Sequence, residues 1–388
     1  MLKIVSINFI IFSFLAILTE ITLGNWKTEP TKPSTTRAIG ETCYNTLTHH
    51  DYCPGIIHIN SNHPKDGGQK IENYINKSGI RVLDKKDINS ITDFKEYDVI
   101  NIGDSFLQAD EIKYKDTLSF IQEQKTKNKV LQVGYSSWAP ITMRRWLESK
   151  KLKKHVHVNV FAMINDFTIN YGKANIHYQN KINSKGEFNI PHQNTPTKID
   201  KLKQNSFFYS KFKAIFHSQA TPPKKSSELS GTYEQKSSNC KILHKLKSKI
   251  TDLTFNYLEF AFNNECWSEQ TVSAVQSAVE DLKKIQILIS SIDGTVTFYL
   301  IPAGWAFKDE NIIGKQTSVY MINQETAITT LELSNYISNY LPIINLENIL
   351  KKFKKRNKKL LYFPLDGHWN KEAHRVIGHM LSNDKNIF

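Results

Sequence analysis

The stretch YDVINIGDSF, residues 97–106, is an apolar run that stops at Gly103 and is followed by an acid and a serine. A short run rich in β-branched residues predicts a buried strand. The same alternation of helical and apolar segments continues along the chain, with a helix at 110–128, a strand at 129–134, a helix at 141–154 and a strand at 155–166. Strands separated by helices of this length need crossover connections, so the sequence predicts a parallel sheet in an α/β domain.

The remaining elements are predicted on both sides of this core. Residues 67–84 are predicted to form a helix followed by a short strand. Residues 167–239 are rich in Asn, Lys, Ser and Pro and read as an insertion, with an aromatic helix at 206–216 and a poorly ordered stretch at 218–239. Regular structure then resumes with a helix at 269–291, a strand at 295–302, a helix at 344–357, a strand at 359–364 and a closing helix at 370–383.

The first residues predict contact with a membrane. The apolar segment 4–23 is long enough to cross a bilayer as a helix, so we interpret 1–24 as a signal-anchor, with a cleaved signal peptide as the alternative. Either interpretation places the rest of the chain outside the cytoplasm, in the periplasm, on the cell surface or as a secreted protein. We divide that rest into a tether and Cys-containing segment at 25–66 and a catalytic-type domain at 67–388, with its insertion at about 167–268.

The charge of the chain does not predict nucleic-acid binding. The 388 residues contain 51 Lys and Arg against 37 Asp and Glu, which gives a net charge of +14. The lysines are scattered among Asn and Ile instead of lying with aromatic residues on one stripe, which is typical of a solvated surface. Attraction to an anionic glycan or lipid headgroups is the alternative. The insertion at 167–239 is a candidate docking segment for a protein partner.

Four cysteines, Cys43, Cys53, Cys240 and Cys266, are typical of an oxidising compartment. Three pairings can be drawn, and we favour the sequence-local one, Cys43–Cys53 with Cys240–Cys266. The alternative, a zinc site, lacks any CxxC spacing. The nearby stretch THHDYC (48–53) is expected to be solvated instead of binding a metal, and no phosphate-binding or dinucleotide-binding motif occurs, so we expect no cofactor.

Polar side chains follow the predicted strands where sites form in parallel sheets. Ser105 comes after the first strand, with Asp104 expected to brace the turn, and Asn165 comes after the third strand. The pair Asp366 and His368 follows the last strand. A serine hydroxyl needs a base to become a nucleophile, and an imidazole oriented by a carboxylate is such a base.

The nascent negative charge of an acyl-transfer reaction also needs hydrogen-bond donors. The Asn165 amide, the backbone N–H of Ser105 and one N–H of the loop from Gly134 to Ser137 are the candidates. Trp369 is expected to pack beneath the site, and His374 and His379 to be surface or packing residues. Nucleophile, base, orienting acid and oxyanion donors together predict an acyl-transfer enzyme.

GDSF at 103–106, Gly134 after the second strand, ND at 165–166 and DGHWN at 366–370 resemble the SGNH (GDSL-type) hydrolase superfamily. The DGHWN ending resembles its membrane-associated bacterial branch, which includes alginate O-acetyltransferase-like proteins. The resemblance covers about 95–170 and 270–385. Ser137 departs from the family pattern, because it stands where a glycine is usual.

The resemblance implies a flavodoxin-like three-layer α/β/α fold. It implies Ser105 as nucleophile, His368 as base, Asp366 as its partner and Asn165 as oxyanion donor. The expected function is hydrolysis of an extracytoplasmic ester, such as an O-acetylated glycan. A polysaccharide O-acetyltransferase with the same site is the alternative, and a non-catalytic glycan-binding or assembly protein is the second alternative.

Overall fold

The computed structural model describes residues 42–167, 240, 259–260, 262–302, 304–307 and 329–383. The predictions for 1–41 and for 168–239, including the membrane span, the helix at 206–216 and the docking segment, lie outside them. Within the described residues the chain forms ten strands: β1 (Thr42–Asn45), β2 (His49–Tyr52), β3 (Ile57–Ser61), β4 (Lys70–Ile75), β5 (Arg81–Val82), β6 (Val99–Gly103), β7 (Val130–Gly134), β8 (His157–Met163), β9 (Thr295–Ile301) and β10 (Ile343–Asn345).

Five of these strands form a parallel sheet in the order β10-β9-β8-β6-β7. Counted by appearance in the chain, this is the order 2-1-3-4-5 of flavodoxin-like doubly wound sheets. The direction of winding reverses at β6, between its neighbours β7 and β8. A crevice forms outside the carboxyl ends of the strands at such a switch point, so the fold predicts a site where β6 and β8 end.

Seven helices are described: α1 (Ser105–Gln108), α2 (Leu118–Thr126), α3 (Pro140–Glu148), α4 (Glu269–Ser290), α5 (Leu331–Ser338), α6 (Leu346–Asn357) and α7 (Lys371–Leu381). The chain steps from β6 to β7 in one direction and from β7 to β8 in the other. Because such crossovers are right-handed, α2 and α3 lie on opposite faces of the sheet. The helix α7 packs on α2, and α4 packs on α3, so both faces are covered.

The α/β class, the central elements and the short strand expected at the end of 67–84 agree with the sequence prediction, but the helix expected at the start of 67–84 does not form. This part forms β4, and together with β3 and the short strand β5 it makes an antiparallel three-stranded sheet. The reason is a period of two. Ile71, Asn73 and Ile75 are buried and alternate with the more exposed Lys70 and Glu72, and such alternation suits a strand with one covered face.

Two further predictions need correction. The helix expected at 110–128 is shorter, because a 3₁₀ turn at Tyr114–Asp116 precedes α2. The strand expected at 359–364 is a single bridge between Tyr362 and Trp369, so this stretch turns back on itself instead of joining the sheet. The sequence reasoning also missed α5 and β10.

The cysteine pairing prediction is confirmed. The structure contains the disulfide bonds Cys43–Cys53 and Cys240–Cys266. The first bond joins the strand β1 to the residue after β2, and the second holds the residues that precede α4. Among the described residues no helix has the length and apolar character needed to span a bilayer.

Candidate active site

Ser105 opens the one-turn helix α1 directly after β6. As expected, Asp104 braces this turn, since its side chain accepts a hydrogen bond of 2.9 Å from the backbone N–H of Phe106. The turn packs closely on β7, because a Cβ atom on Gly134 would lie only 2.7 Å from the backbone oxygen of Asp104. Glycine at 134 therefore permits the approach that positions Ser105.

The loop from Leu361 to Asn370 carries the acid and the imidazole. The backbone N–H of Asn370 donates to the oxygen of Leu361 at 2.9 Å, and the N–H of Phe363 donates to the oxygen of His368 at 2.9 Å. Gly367 lies between the acid and the imidazole with φ of 83°, a left-handed conformation that glycine adopts without steric cost. The loop is thus a closed turn that returns His368 to the sheet edge.

A carboxylate from the N-terminal part of the chain holds this loop from outside. Asp66 is buried and accepts hydrogen bonds from the backbone N–H groups of Leu365, at 2.9 Å, and Asp366, at 3.1 Å. Hydrogen bonds to a charged acceptor are the stronger kind. The position of Asp366 therefore depends on a residue three hundred positions away in the sequence.

The structure brings Ser105, His368 and Asp366 together. His368 Nε2 lies 2.8 Å from Ser105 Oγ, and His368 Nδ1 is hydrogen-bonded to Asp366 Oδ1. The ring of Phe106 meets the imidazole edge-on, with 5.1 Å between centroids, and Trp369 packs beneath Phe106 as expected. With Nδ1 donating to the carboxylate, Nε2 presents its lone pair to the hydroxyl. In this geometry the imidazole can accept the hydroxyl proton.

A second carboxylate faces the same imidazole. Glu111 Oε1 lies 3.6 Å from His368 Nδ1, which is too long for a hydrogen bond. The Glu111 side chain is 13% exposed, and its Oε2 is covered and accepts no hydrogen bond from the described residues. Sequence reasoning missed this residue. The available signal was an acidic pair, Asp110 and Glu111, directly after a short helix of otherwise uncharged residues.

Several acids around the site are held towards their protonated forms. Burial raises the pKa of Asp104 to about 6, and burial together with the charge of Asp104 raises the pKa of Asp166 well above its usual range. Burial and the charge of Asp366 raise the pKa of Glu111 to about 8, against the opposing effect of His368. Burial lowers the pKa of His368, but the charges of Asp366 and Glu111 outweigh it and raise this pKa to about 10.

The three residues expected to surround the oxyanion come at or after the carboxyl ends of β7 and β8, the two neighbours of β6 in the sheet. Asn165 is in the 3₁₀ turn Ile164–Phe167 that follows β8, beside β6 in the sheet. Gly134 ends β7 on the other side of β6. Ser137 has φ of 68°, which explains why glycine is usual at its place in the family that the sequence resembles. Their roles as donors stay predictions.

The loop after β7 is held by the N-terminal hairpin. His50 Nε2 lies 2.7 Å from the backbone oxygen of Ser136, and Trp138 Nε1 donates to the backbone oxygen of His50 at 2.9 Å. The prediction that the His-His-Asp stretch is solvated is wrong for His49 and His50, which are both buried against this loop. The N–H of Ser136 donates to Gln108 Oε1 at 2.8 Å, so this amide is already engaged within the protein.

The segment that carries Glu111 is held by side chains from the three-stranded sheet. His58 Nε2 lies 3.0 Å from Asp110 Oδ2, and Asn62 Nδ2 donates to the backbone oxygen of Glu111 at 2.8 Å. The buried guanidinium of Arg81 donates to three backbone carbonyls of the same segment, those of Gln108, Ala109 and Ile112. The position of Glu111 is therefore fixed by hydrogen bonds from other parts of the fold.

A cavity of about 520 Å³ opens beside the site. Glu111 and Asp66 lie in its wall together with the apolar side chains of Tyr362 and Phe363, whereas Ser105 does not line it. The cavity therefore borders Glu111 and Asp66, the acids beside Asp366, and not the nucleophile.

Glu111, Asp366 and His368 each offer one ligand atom, and these atoms lie within 4.8 Å of one another. A cation there would displace the hydrogen bond between Asp366 and His368. We therefore interpret the cluster as a hydrogen-bonded pair with a second carboxylate, and the absence of a cofactor stays a prediction.

Comparisons with known proteins give one kind of match. No family model and no curated protein matches the chain. Among the solved structures that match is the crystal structure of a member of the lipolytic G-D-S-L family from Veillonella parvula, with 11% identity over 74% of this chain and 97% of that one. The TM-score is 0.34, so we draw neither fold nor function from this likeness.

Proposed function

We propose that the chain is a serine-dependent enzyme that acts on ester bonds, with Ser105 as nucleophile, His368 as general base and Asp366 as its orienting partner. The observation that supports this is the distance of 2.8 Å between Ser105 Oγ and His368 Nε2, with Asp366 bonded to the other ring nitrogen. A serine that merely caps a helix needs neither the imidazole nor the carboxylate.

The reaction proceeds in two halves. Ser105 Oγ attacks the acyl carbonyl while His368 Nε2 takes the hydroxyl proton, and the resulting oxyanion is bound by the Asn165 amide and backbone N–H groups. Collapse breaks the ester bond, and the leaving alcohol receives the proton from His368. Water then gives a proton to His368 and attacks the acyl carbon, and Ser105 regains its proton as the acid leaves.

The proposal includes the finer features that the resemblance implies. The chain is an SGNH-type α/β hydrolase, anchored through residues 4–23 and active outside the cytoplasm on an acyl ester such as an O-acetylated glycan. The strand order supports the fold, because Ser105 and Asn165 follow the two strands that flank the switch point. Two disulfide bonds support an oxidising compartment.

The test is hydrolysis of p-nitrophenyl acetate by the purified full-length chain, compared with Ser105→Ala and His368→Ala. Loss of either group of a serine triad removes most of the rate acceleration, so we expect turnover to fall by about 10³-fold or more in each variant. Ser291→Ala, an exposed serine near the amino end of β9, and His379→Ala, on α7, are the matched controls and should retain activity.

Labelling gives an independent readout. A fluorophosphonate should modify Ser105 in the wild type and leave Ser105→Ala unlabelled. Equal turnover in the wild type and both variants, without labelling of Ser105, would refute the enzyme and favour a binding protein. If acetyl transfer to an added oligosaccharide were faster than hydrolysis, the same site would be that of an acetyltransferase, with a sugar hydroxyl as the acyl acceptor instead of water.

A further inference from the structure

We propose that Glu111 is a positioning residue that shares one proton with His368 and thereby sets how much of His368 is available as a base. The inference rests on the proposed function, because it concerns the protonation of the same imidazole. Three observations carry it. Glu111 Oε1 lies 3.6 Å from His368 Nδ1, Glu111 Oε2 is covered without a hydrogen bond from the described residues, and the backbone oxygen of Glu111 is held by Asn62, the residue after β3.

The imidazole faces one more carboxylate than its orientation requires. Asp366 already accepts the hydrogen bond of His368 Nδ1 and supplies the negative charge that stabilises the imidazolium. If Glu111 were also ionised, two negative charges would favour the protonated ring. A protonated His368 cannot take the proton of Ser105, so such a site would be inactive at rest.

A proton on Glu111 resolves this conflict without changing the total charge. When Glu111 carries the proton, His368 is neutral and its Nε2 faces the hydroxyl as an acceptor. When the proton moves to His368, Glu111 is ionised and the base is lost. The two arrangements differ only in where one proton lies, and their balance is set by the surroundings of the two groups.

Charged groups from every neighbouring element contribute to this balance. Asp366 and Asp110 face Glu111, while Asp104 and His374 face His368. The cavity wall beside Glu111 adds side chains of both signs: Lys65, Asp66, Lys113, Lys115, Asp116, Lys371 and Glu372. Four of these side chains are basic and three are acidic, and the largest charge effects on the imidazole are those of Asp366 and Glu111.

The test is the pH profile of kcat/KM for the full-length wild type, Glu111→Gln and Glu111→Asp. Glutamine cannot ionise, so we expect the midpoint of the acidic limb to fall by about one pH unit or more. Glu111→Asp keeps a carboxylate, so its midpoint should remain near that of the wild type. Glu280→Gln, an exposed acid on α4, is the matched control.

A purely structural role for Glu111 would lower the rate at all pH values and leave the midpoint unchanged, and that result would overturn the inference. If Glu111→Gln fails to fold, ¹⁵N NMR of His368 in the wild type decides. A shared proton gives a titration in two steps, whereas a single step at the ordinary histidine pKa would reject it. Failure of the proposed function can be told apart from failure of this inference, because Ser105→Ala would retain turnover only if the proposed function were wrong.

Discussion

Gly134 offers a direct test of how the fold positions the nucleophile. In Gly134→Ala the new Cβ atom would lie 2.7 Å from the oxygen of Asp104, the nitrogen of Gln108 and the Cβ atom of Leu107. Two of these three atoms belong to the backbone, so no rotation of a side chain relieves the contact. The distance falls about 0.7 Å short of an ordinary contact between non-bonded atoms. The one-turn helix must therefore move away from β7.

The expected loss of activity follows from that displacement. Ser105 is the first residue of the displaced turn, and in the wild type its hydroxyl lies 2.8 Å from His368 Nε2. A shift of a few tenths of an ångström already leaves the range of a good hydrogen bond. Because a misplacement of about 1 Å can cost 10²-fold in rate, we expect kcat for p-nitrophenyl acetate to fall by about 10- to 100-fold. The overpacking itself should destabilise the fold by about 1–3 kcal/mol.

Gly294→Ala is the matched control. Its Cβ atom would lie 2.6 Å from the oxygen of Val156 and 2.7 Å from Ile289 Cγ2, so the steric conflict is of the same size. Gly294 lies between α4 and β9, at the amino end of the sheet, away from Ser105. We expect the two variants to lose similar stability in urea and only Gly134→Ala to lose activity selectively. Equal activities at matched folded fractions would refute the reasoning.

Two further predictions concern stability. Burial lowers the pKa of His374 to about 3, so the free energy of unfolding should fall by about 1.4 kcal/mol per pH unit as the pH drops from 6.5 towards 3. In urea unfolding, His374→Gln should lose less stability over this pH range than the wild type. An unchanged pH dependence in the variant would contradict the assignment. Removing the Cys240–Cys266 bond, with its sequence separation of 26, should lower the free energy of unfolding by about 3.5 kcal/mol. Removing the Cys43–Cys53 bond, with its separation of 10, should lower it by about 2.7 kcal/mol. At matched folded fractions, activity should fall more after loss of Cys43–Cys53, because the hairpin of β1 and β2 holds the loop after β7. A larger loss of activity without Cys240–Cys266 would argue against that role.

The sequence predicted the central sheet and the three residues of the candidate triad for a local reason. Each apolar run ends at a polar residue, and parallel strands bring all those ends to one edge. Ser105 and Asn165 could therefore be placed near one another without knowledge of any contact. His368 was placed beside them by the same reasoning, although its segment turns back through the bridge between Tyr362 and Trp369 and is not a strand of the sheet. The same logic found the closing helix, because Asn370 is an N-cap whose side chain accepts hydrogen bonds from the first turn of α7.

The prediction failed where the structure depends on contacts between distant residues. The segment 67–84 has a helix-like composition, and its alternation of covered and exposed side chains becomes decisive only when β3 pairs with β4. The burial of His49 and His50 depends on the loop after β7, almost ninety positions later. Glu111 was missed because the acidic pair Asp110 and Glu111 does not by itself indicate a site, and the contact with His368 joins residues far apart in the sequence.

Residues 42–82 belong to the architecture of the candidate site, as their contacts with the segments that carry its two carboxylates indicate. The loop that carries Asp366 is bound from outside by Asp66, and the segment that carries Glu111 is bound by Arg81. Neither contact touches Ser105, yet both determine where the two carboxylates stand relative to one imidazole. If the protonation of His368 depends on its distances to Glu111 and Asp366, residues 42–82 influence this protonation by fixing where the two carboxylates lie. The geometry of the candidate triad thus depends on residues 42–82, which contribute none of its members.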